Sequence, residues 1–350
     1  MISAFDIFRI VIGVIVFIFV ITFFLRFADM YSGTASSGKA MEAVNAFEDT
    51  AQEVYASGNP SSFSGFQGFR TLAYDPPKIM YDSGQKTLAV PTLLVPSTGK
   101  LYLESRCAEF GWFGFCWVYA FPEGMRILFT FVDDSPASRQ LARQALYYLP
   151  DSAQYGFCSS GEARAGGKAD FISFLSGPPG APHQPCNATL PQYTRVIAIA
   201  PPPGLPPGSA ADLVVDTGAG LALEGGPDGA AANFTGPVEL AVLVTGGKKA
   251  LDYVKQRMSK EVTVSARIMM DRTRLVSQKM VALNRQPCVE CATPFPEACG
   301  WTDSGGRQHA SAAYEAFGDS LDALARPGDI WRALNGTAQA YGLLESEGCE

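Results

Sequence analysis

The chain has 350 residues, 17% of them charged, with a net charge of −7 and a pI near 5.0. No basic run offsets that balance, so a nucleic-acid surface is excluded. Glycine (35) and proline (24) are abundant, which suits a turn-rich exterior, and the length beyond the N-terminal block is enough for one large domain or two ordinary ones.

Residues 1–30 read as a transmembrane anchor. Ile10 to Leu25 is an uncharged block, nine of its sixteen residues Ile or Val, with Arg9 and Arg26 at its ends. Sixteen helical residues span about 24 Å, short of the roughly 30 Å hydrocarbon core. Ile7, Phe8, Phe27 and Ala28 extend the apolar stretch past each arginine, and both guanidinium groups can snorkel outward. Residues 7–28 are therefore expected to occupy the bilayer. The composition makes a poor helix in water, but in lipid every backbone group must bond within the segment. A cleaved signal peptide is the competing reading, with Ala35 and Ser37 as its small-residue site. The length of the block and Asp6 in the leader stand against it.

Charge leaves the orientation open, because the amino terminus and Arg9 are matched by Arg26 and Lys39. Eight cysteines, Cys107, Cys116, Cys158, Cys186, Cys288, Cys291, Cys299 and Cys349, all follow the block. An even count so placed suits a disulfide-braced domain in an oxidising compartment. Three sequons, at Asn187, Asn233 and Asn335, are candidate glycosylation sites. The body is expected outside the cytoplasm.

Residues 31–60 read as an amphipathic stalk helix. Ala40, Val44, Phe47, Ala51 and Val54 recur at spacings of four and three, with Lys39, Glu42, Asn45 and Glu48 off the seam. The stripe either packs on the helix's own domain or self-associates as a short coiled coil. Gly58-Asn59-Pro60 ends it.

Residues 61–300 read as a mixed α/β body, with a sub-boundary near 176–210, where Gly177 to Pro185 and Pro201 to Gly208 are rich in proline and glycine. Thr87 to Val95 and Lys100 to Leu103 are short strands, the first demoted to a sheet edge by Pro91. In the strand Phe113 to Phe121, the side chains of Phe113, Phe115, Trp117, Tyr119 and Phe121 share one face. Such a ladder is either a core face or an exposed binding platform. Pro122-Glu123-Gly124 turns the chain into Met125 to Val132, and a Cys107–Cys116 bridge would clip a short loop beside that hairpin.

Two strand-then-helix units follow. Arg126 to Val132 leads into Ala137 to Tyr148, with Asp134 or Ser135 as the helix cap. Val238 to Val244, the turn Thr245-Gly246-Gly247, Lys248 to Met258 and Val262 to Met269 read as a βαβ crossover. Its Gly-Gly turn, beside Lys248 and Lys249, is either a candidate anion cradle or a plain connection. Residues 301–350 read as a C-terminal helical hairpin, with stripes Ala313, Phe317, Leu321, Leu324 and Trp331, Leu334, Ala338, Tyr341.

Three constellations bear on chemistry. Cys288, Cys291, Cys299 and His309 are four zinc ligands in order, but a lone CxxC crowded by Pro294 and Pro296 favours disulfides, so no metal or cofactor is expected. His183 and His309 are the only histidines, and neither has a nucleophile elbow or HExxH nearby. Leu213-Val214-Val215-Asp216-Thr217-Gly218 resembles the active-site strand and turn of aspartic proteases, and Ile79-Met80-Tyr81-Asp82-Ser83-Gly84 resembles it less closely. That resemblance implies that Asp82 and Asp216 share one proton across a pseudo-dyad, because like charges about 3 Å apart cannot both ionise. The hydrophobic-hydrophobic-Gly partner strands are missing, and Asp303-Ser304-Gly305 repeats the tripeptide as ordinary turn chemistry.

The fold class expected is α+β: a transmembrane helix and stalk, a mixed-sheet domain with packed helices, and a C-terminal helical hairpin, all braced by disulfides. The plan resembles that of pilin-like subunits, whose hydrophobic N-terminal helix continues into an amphipathic one, though the Gly-preceded processing site and an early Glu are lacking. The expected role is structural, assembly or binding at the cell surface, as a single-pass protein whose partners are the bilayer, other membrane or surface proteins and copies of itself. The alternative is a membrane-tethered hydrolase of aspartic-protease type using Asp82 and Asp216.

Overall fold

The computed structural model describes residues 38–82, 84–132, 134–159, 162–178, 190–200, 211–225, 229–284, 300–302, 308–310 and 330–346, with isolated positions at 20–23, 26, 316–317, 319–321 and 324. Almost all of the expected anchor lies outside them. Among the described residues no helix is long and apolar enough to cross a membrane.

Helix α1 (38–57) precedes β1 (Ser61–Phe63) and a meander of β2 (Leu72–Asp75), β3 (Lys78–Tyr81) and β4 (Gly84–Thr87). Next come β5 (Thr92–Leu94) and the hairpin of β6 (Leu101–Phe110) and β7 (Phe113–Pro122). The middle of the chain supplies β8 (Arg126–Phe131), α2 (Pro136–Tyr148), β9 (Gln154–Ser159), β10 (Glu162–Gly166), α3 (Lys168–Ser176) and β11 (Thr194–Ala200). Then follow β12 (Leu213–Asp216), β13 (Leu221–Glu224), β14 (Ala231–Asn233), α4 (Pro237–Asn284), β15 (Gly300–Thr302), β16 (Gln308–Ala310) and α5 (Ile330–Ser346). The result is a mixed α+β fold with several sheets and a disulfide between Cys107 and Cys116.

One sheet has the order β1-β6-β7-β5, and Pro91 precedes its edge strand as expected. Its pleat splits the hydrophobic residues between two cores. Leu101, Leu103, Val118 and Ala120 cluster with Val44, Phe47, Ala51 and Val54 of α1. The seam read as a stalk is thus buried against the body. Of the two readings of the stripe, packing on the helix's own domain is the one observed, and self-association through it is corrected: burial against an apolar sheet face removes from water the surface a coiled coil would need.

On the opposite face Phe113, Phe115, Trp117, Tyr119 and Phe121 join the main core, every one buried. The aromatic ladder is therefore a core face, and the exposed platform is excluded for these five residues. The second large sheet runs β10-β9-β8-β11-β12-β13-β14, with β9, β8, β11 and β12 parallel. Strands from both sides of residues 176–210 therefore share it. Ile127, Phe129, Phe131, Ile197, Ile199, Leu213 and Val215 turn one face of this sheet to the same main core. Helix α4 touches β5 and β7 of one sheet and β12 and β13 of the other.

The βαβ reading of 238–269 is overturned, because Val238 to Val244 and Val262 to Met269 belong to α4, not to strands. Pro237 opens the helix, and Glu239 reaches back to the Thr235 amide. Leu240 to Val244 are buried without exception. A helix buried all round shows a continuous apolar run, which periodicity cannot tell from a buried strand. Gly247, at φ +71°, kinks the helix. A Cβ there would fall 2.1 Å from Glu224 Oε1, and the same oxygen accepts from the Lys248 amide at 2.6 Å. The Gly-Gly turn does cradle an anion, and it is the chain's own Glu224.

Ser135 caps α2 through the Ser138 amide at 3.3 Å, with Pro136 at the first helical turn. Beside it, Arg139 meets Asp134 in a two-pronged ion pair of 2.5 and 2.7 Å, both side chains buried. Its remaining nitrogen donates to the carbonyls of Phe174 and Gly177, tying the end of α3 to the start of α2. At the C-terminus Phe317, Leu321, Leu324 and Leu334 are buried in the main core. Tyr341 and Ala338 of α5 close over Gly111 at the turn of the β6–β7 hairpin.

Candidate functional site

The two aspartates singled out by resemblance sit in different sheets. Asp82 follows β3, and its carboxylate accepts from the amides of Arg70 and Thr71 and from the Thr71 hydroxyl. Those bonds, the Arg70 amide first, hold its pKa below the usual carboxylate range. Asp216 ends β12 and accepts from the amides of Gly218 and Ala219, an Asx turn within its own loop. Neither carboxylate bonds to the other.

Cys107 and Cys116 face one another across β6 and β7, with Cα atoms 4.0 Å apart. Cys158 lies in β9 with its side chain undescribed, and Cys186, Cys288, Cys291, Cys299, Cys349, Asn187 and His183 lie outside the described residues. Among the described residues no cluster of His, Cys, Asp and Glu forms a metal site. Asn233 is exposed on β14. The Asn335 sequon lies in α5, as the helical stripe around it implied. Its Thr337 hydroxyl is buried and bonded to the Ala333 carbonyl.

What the fold does build is a cleft of about 600 Å³ between β6 and helices α2 and α3, lined by Ser105, Arg106, Cys107, Glu109, Arg143 and Lys168 among others. Val118 donates to Pro91 and Val95 to Ala120, so even-numbered residues of β7 point their main-chain groups at β5 and odd-numbered ones at β6. In register Trp117 faces Arg106 and Tyr119 faces Glu104. Arg106 and Glu104 therefore complete the ladder, while Ser105, Cys107 and Glu109 turn their N–H and C=O groups to the other edge. There β1 covers only Leu101 to Leu103. Ser105, Cys107 and Glu109 are left without a strand partner on this edge, though the Ser105 carbonyl is taken by Arg106 Nη1 at 3.3 Å.

The cleft's end is fixed by charge. Glu104, buried, accepts from the amides of Asp151 (2.6 Å) and Ser152 (2.8 Å) and pairs with Arg106 at 3.3 Å. Asp151 takes Arg106 and Lys168, each at 2.7 Å. Arg106 and Lys168 also donate to the carbonyl of Leu149, the C-cap of α2, so two cations meet the negative end of that helix. Burial pushes the Lys168 pKa down. Burial would raise that of Asp151, but Lys168 and then Arg106 outweigh it, and the carboxyl sits below its ordinary value.

A carboxyl so depressed contributes stability that is fully present above its unfolded value near 3.9 and is lost as pH falls through the folded value. Asp151→Asn is accordingly expected to lower stability at pH 7 and to flatten the loss between neutral pH and pH 3, measured by urea unfolding at each pH. An unchanged acid slope would show that this network does not titrate with folding.

Arg143 and Tyr147 project from α2 over the cleft, and Tyr147 is 74% exposed. The same two residues border a second hollow of about 550 Å³, with Gln140, Gln144, Tyr148 and Pro237. Among the described residues Arg143 makes no ion pair. The set comprises an open strand edge, a free guanidinium, an aromatic ring and a rigid polar floor, and it is suited to holding a ligand. Sequence reasoning passed over Arg106, Arg143, Tyr147, Asp151 and Lys168; the one available signal was the charges Glu104, Arg106 and Glu109 within the strand that also carries Leu101, Leu103, Ala108 and Phe110. Comparison with protein-family models, curated proteins and solved structures finds no match for the chain.

Proposed function

We propose that the chain is a single-pass membrane protein whose disulfide-braced body lies outside the cytoplasm and serves a structural, assembly or binding role at the cell surface. The observation that carries this reading is the bridge between Cys107 and Cys116, with Cys107 exposed on the sheet surface. A disulfide in that position is open to cytosolic reductants and persists in an oxidising compartment. The apolar block from Ile10 to Leu25 supplies the anchor. The hydrolase alternative has no comparable support, since Asp82 and Asp216 are each engaged by neighbouring backbone amides.

Protease added to intact cells tests the topology, read together with alkylation of the two cysteines before and after reduction. The expected result is a digested body and cysteines that react only after reduction. A protected body with both thiols free would overturn the proposal.

A further inference from the structure

We propose that the cleft takes an extended peptide segment of another protein, carrying an acidic side chain and added as a strand to the open edge of β6. The inference rests on the binding role above but not on the membrane topology.

Three observations converge on this occupant. The main-chain groups of Ser105, Cys107 and Glu109 face away from β7, and N–H and C=O groups repeating at every second residue are what an added strand pairs with. The cleft is lined by Arg143 and Tyr147 of α2 and by Lys168 and Ile172 of α3, so a strand added to the edge would lie between β6 and these two helices. The charges are already sorted. Glu104 and Asp151 are neutralised by Arg106 and Lys168, which leaves Arg143 on α2 and Glu109 on β6 as the unpaired charges among the described lining residues, so an acid placed against α2 meets a cation without displacing an internal one, while Glu109 disfavours an acid at the edge itself. The hollow beyond Arg143 and Tyr147 continues the path toward Pro237.

The probe is a displayed library of random nonapeptides, selected on the full chain in detergent, with synthetic copies of the enriched sequences measured by titration. Enriched peptides are expected to share an Asp or Glu. Arg143→Glu should weaken them at least tenfold. Methylating the peptide's amide nitrogens at one set of alternate positions should abolish binding, while the other set is tolerated.

Glu109→Pro removes an edge N–H that β7 does not use and should weaken binding at least tenfold relative to Glu109→Gln, which removes only the charge. All three variants must keep the wild-type near-ultraviolet dichroism, and Arg143→Glu, an exposed change on α2, carries the test alone if the proline variant fails to fold.

The proposal is overturned if nothing is enriched over bare support, or if binding ignores Arg143→Glu and amide methylation alike. It is equally overturned if the edge proves to join two copies of the chain, seen as a dimer that Glu109→Pro dissolves. None of these results bears on protease access in cells, so the topology stands or falls separately.

Discussion

Replacing Trp117 with alanine is expected to destabilise the protein by about 3–5 kcal/mol, the range for removing a large aromatic from a packed interior. Its side chain is fully buried at the centre of β7, stacked on Phe115 at 6.1 Å between ring centroids and edge-on to Tyr119 at 6.0 Å. The indole belongs to the cluster that joins this sheet to α2, α4 and β8, so neighbouring elements cannot collapse into the vacated space without moving a whole layer. Against a total stability of roughly 5–15 kcal/mol the loss is severe. Trp117→Phe, which keeps a ring, should cost markedly less. Urea unfolding of the full chain in detergent measures both. A loss under about 1 kcal/mol for alanine would mean that this face is not core, the outcome a surface platform would give.

Asp134→Ala should be comparably damaging, at about 3–5 kcal/mol, because it strands the guanidinium of Arg139 in an interior where its partner carboxylate is wholly enclosed. The informative companion is the double variant Asp134→Leu with Arg139→Met. Exchanging a buried pair for apolar residues is often neutral or stabilising, but here Arg139 also satisfies the carbonyls of Phe174 and Gly177. Losing those bonds at about 1–3 kcal/mol each leaves the double variant below wild type, though above Asp134→Ala. If the double variant equals or exceeds wild type, the carbonyls find other partners and the link between α2 and α3 is dispensable. A double-mutant cycle from equilibrium unfolding separates the two results.

Elements with local signatures were legible in the chain. Pro91 marked an edge strand, Ser135-Pro136 marked a helix start, and the alternation from Phe113 to Phe121 marked a two-faced strand, because each signal depends on geometry within a few residues. The nine-residue spacing of Cys107 and Cys116 pointed to their bridge but not to its setting: it joins β6 to β7, and the hairpin expected through Pro122-Glu123-Gly124 does not form, because β8 belongs to the other sheet. Burial on all sides hid the helical period of Val238 to Val244. The anion at Gly247 was foreseeable as an anion but not as Glu224, which arrives from a strand more than twenty residues earlier. The cleft was invisible for a stronger reason. It exists because β1 stops at the register of Leu103 and because α2 and α3 pack opposite the uncovered stretch, and neither length nor packing partner is written in any short motif. The stripe on α1 was read correctly as amphipathic, yet pattern alone does not name the surface that an apolar face will meet.

That docked helix sets the reach of the whole molecule. Twenty residues of free helix would lift their load by about 30 Å, but α1 lies flat against its own sheet and lends no height. If residues 7–28 sit in the bilayer, only nine residues, 29–37, separate them from α1, a length that cannot exceed about 30 Å. The body would ride low over the lipid headgroups, and whatever it grips would have to come from a neighbour in the same membrane plane or from close above it.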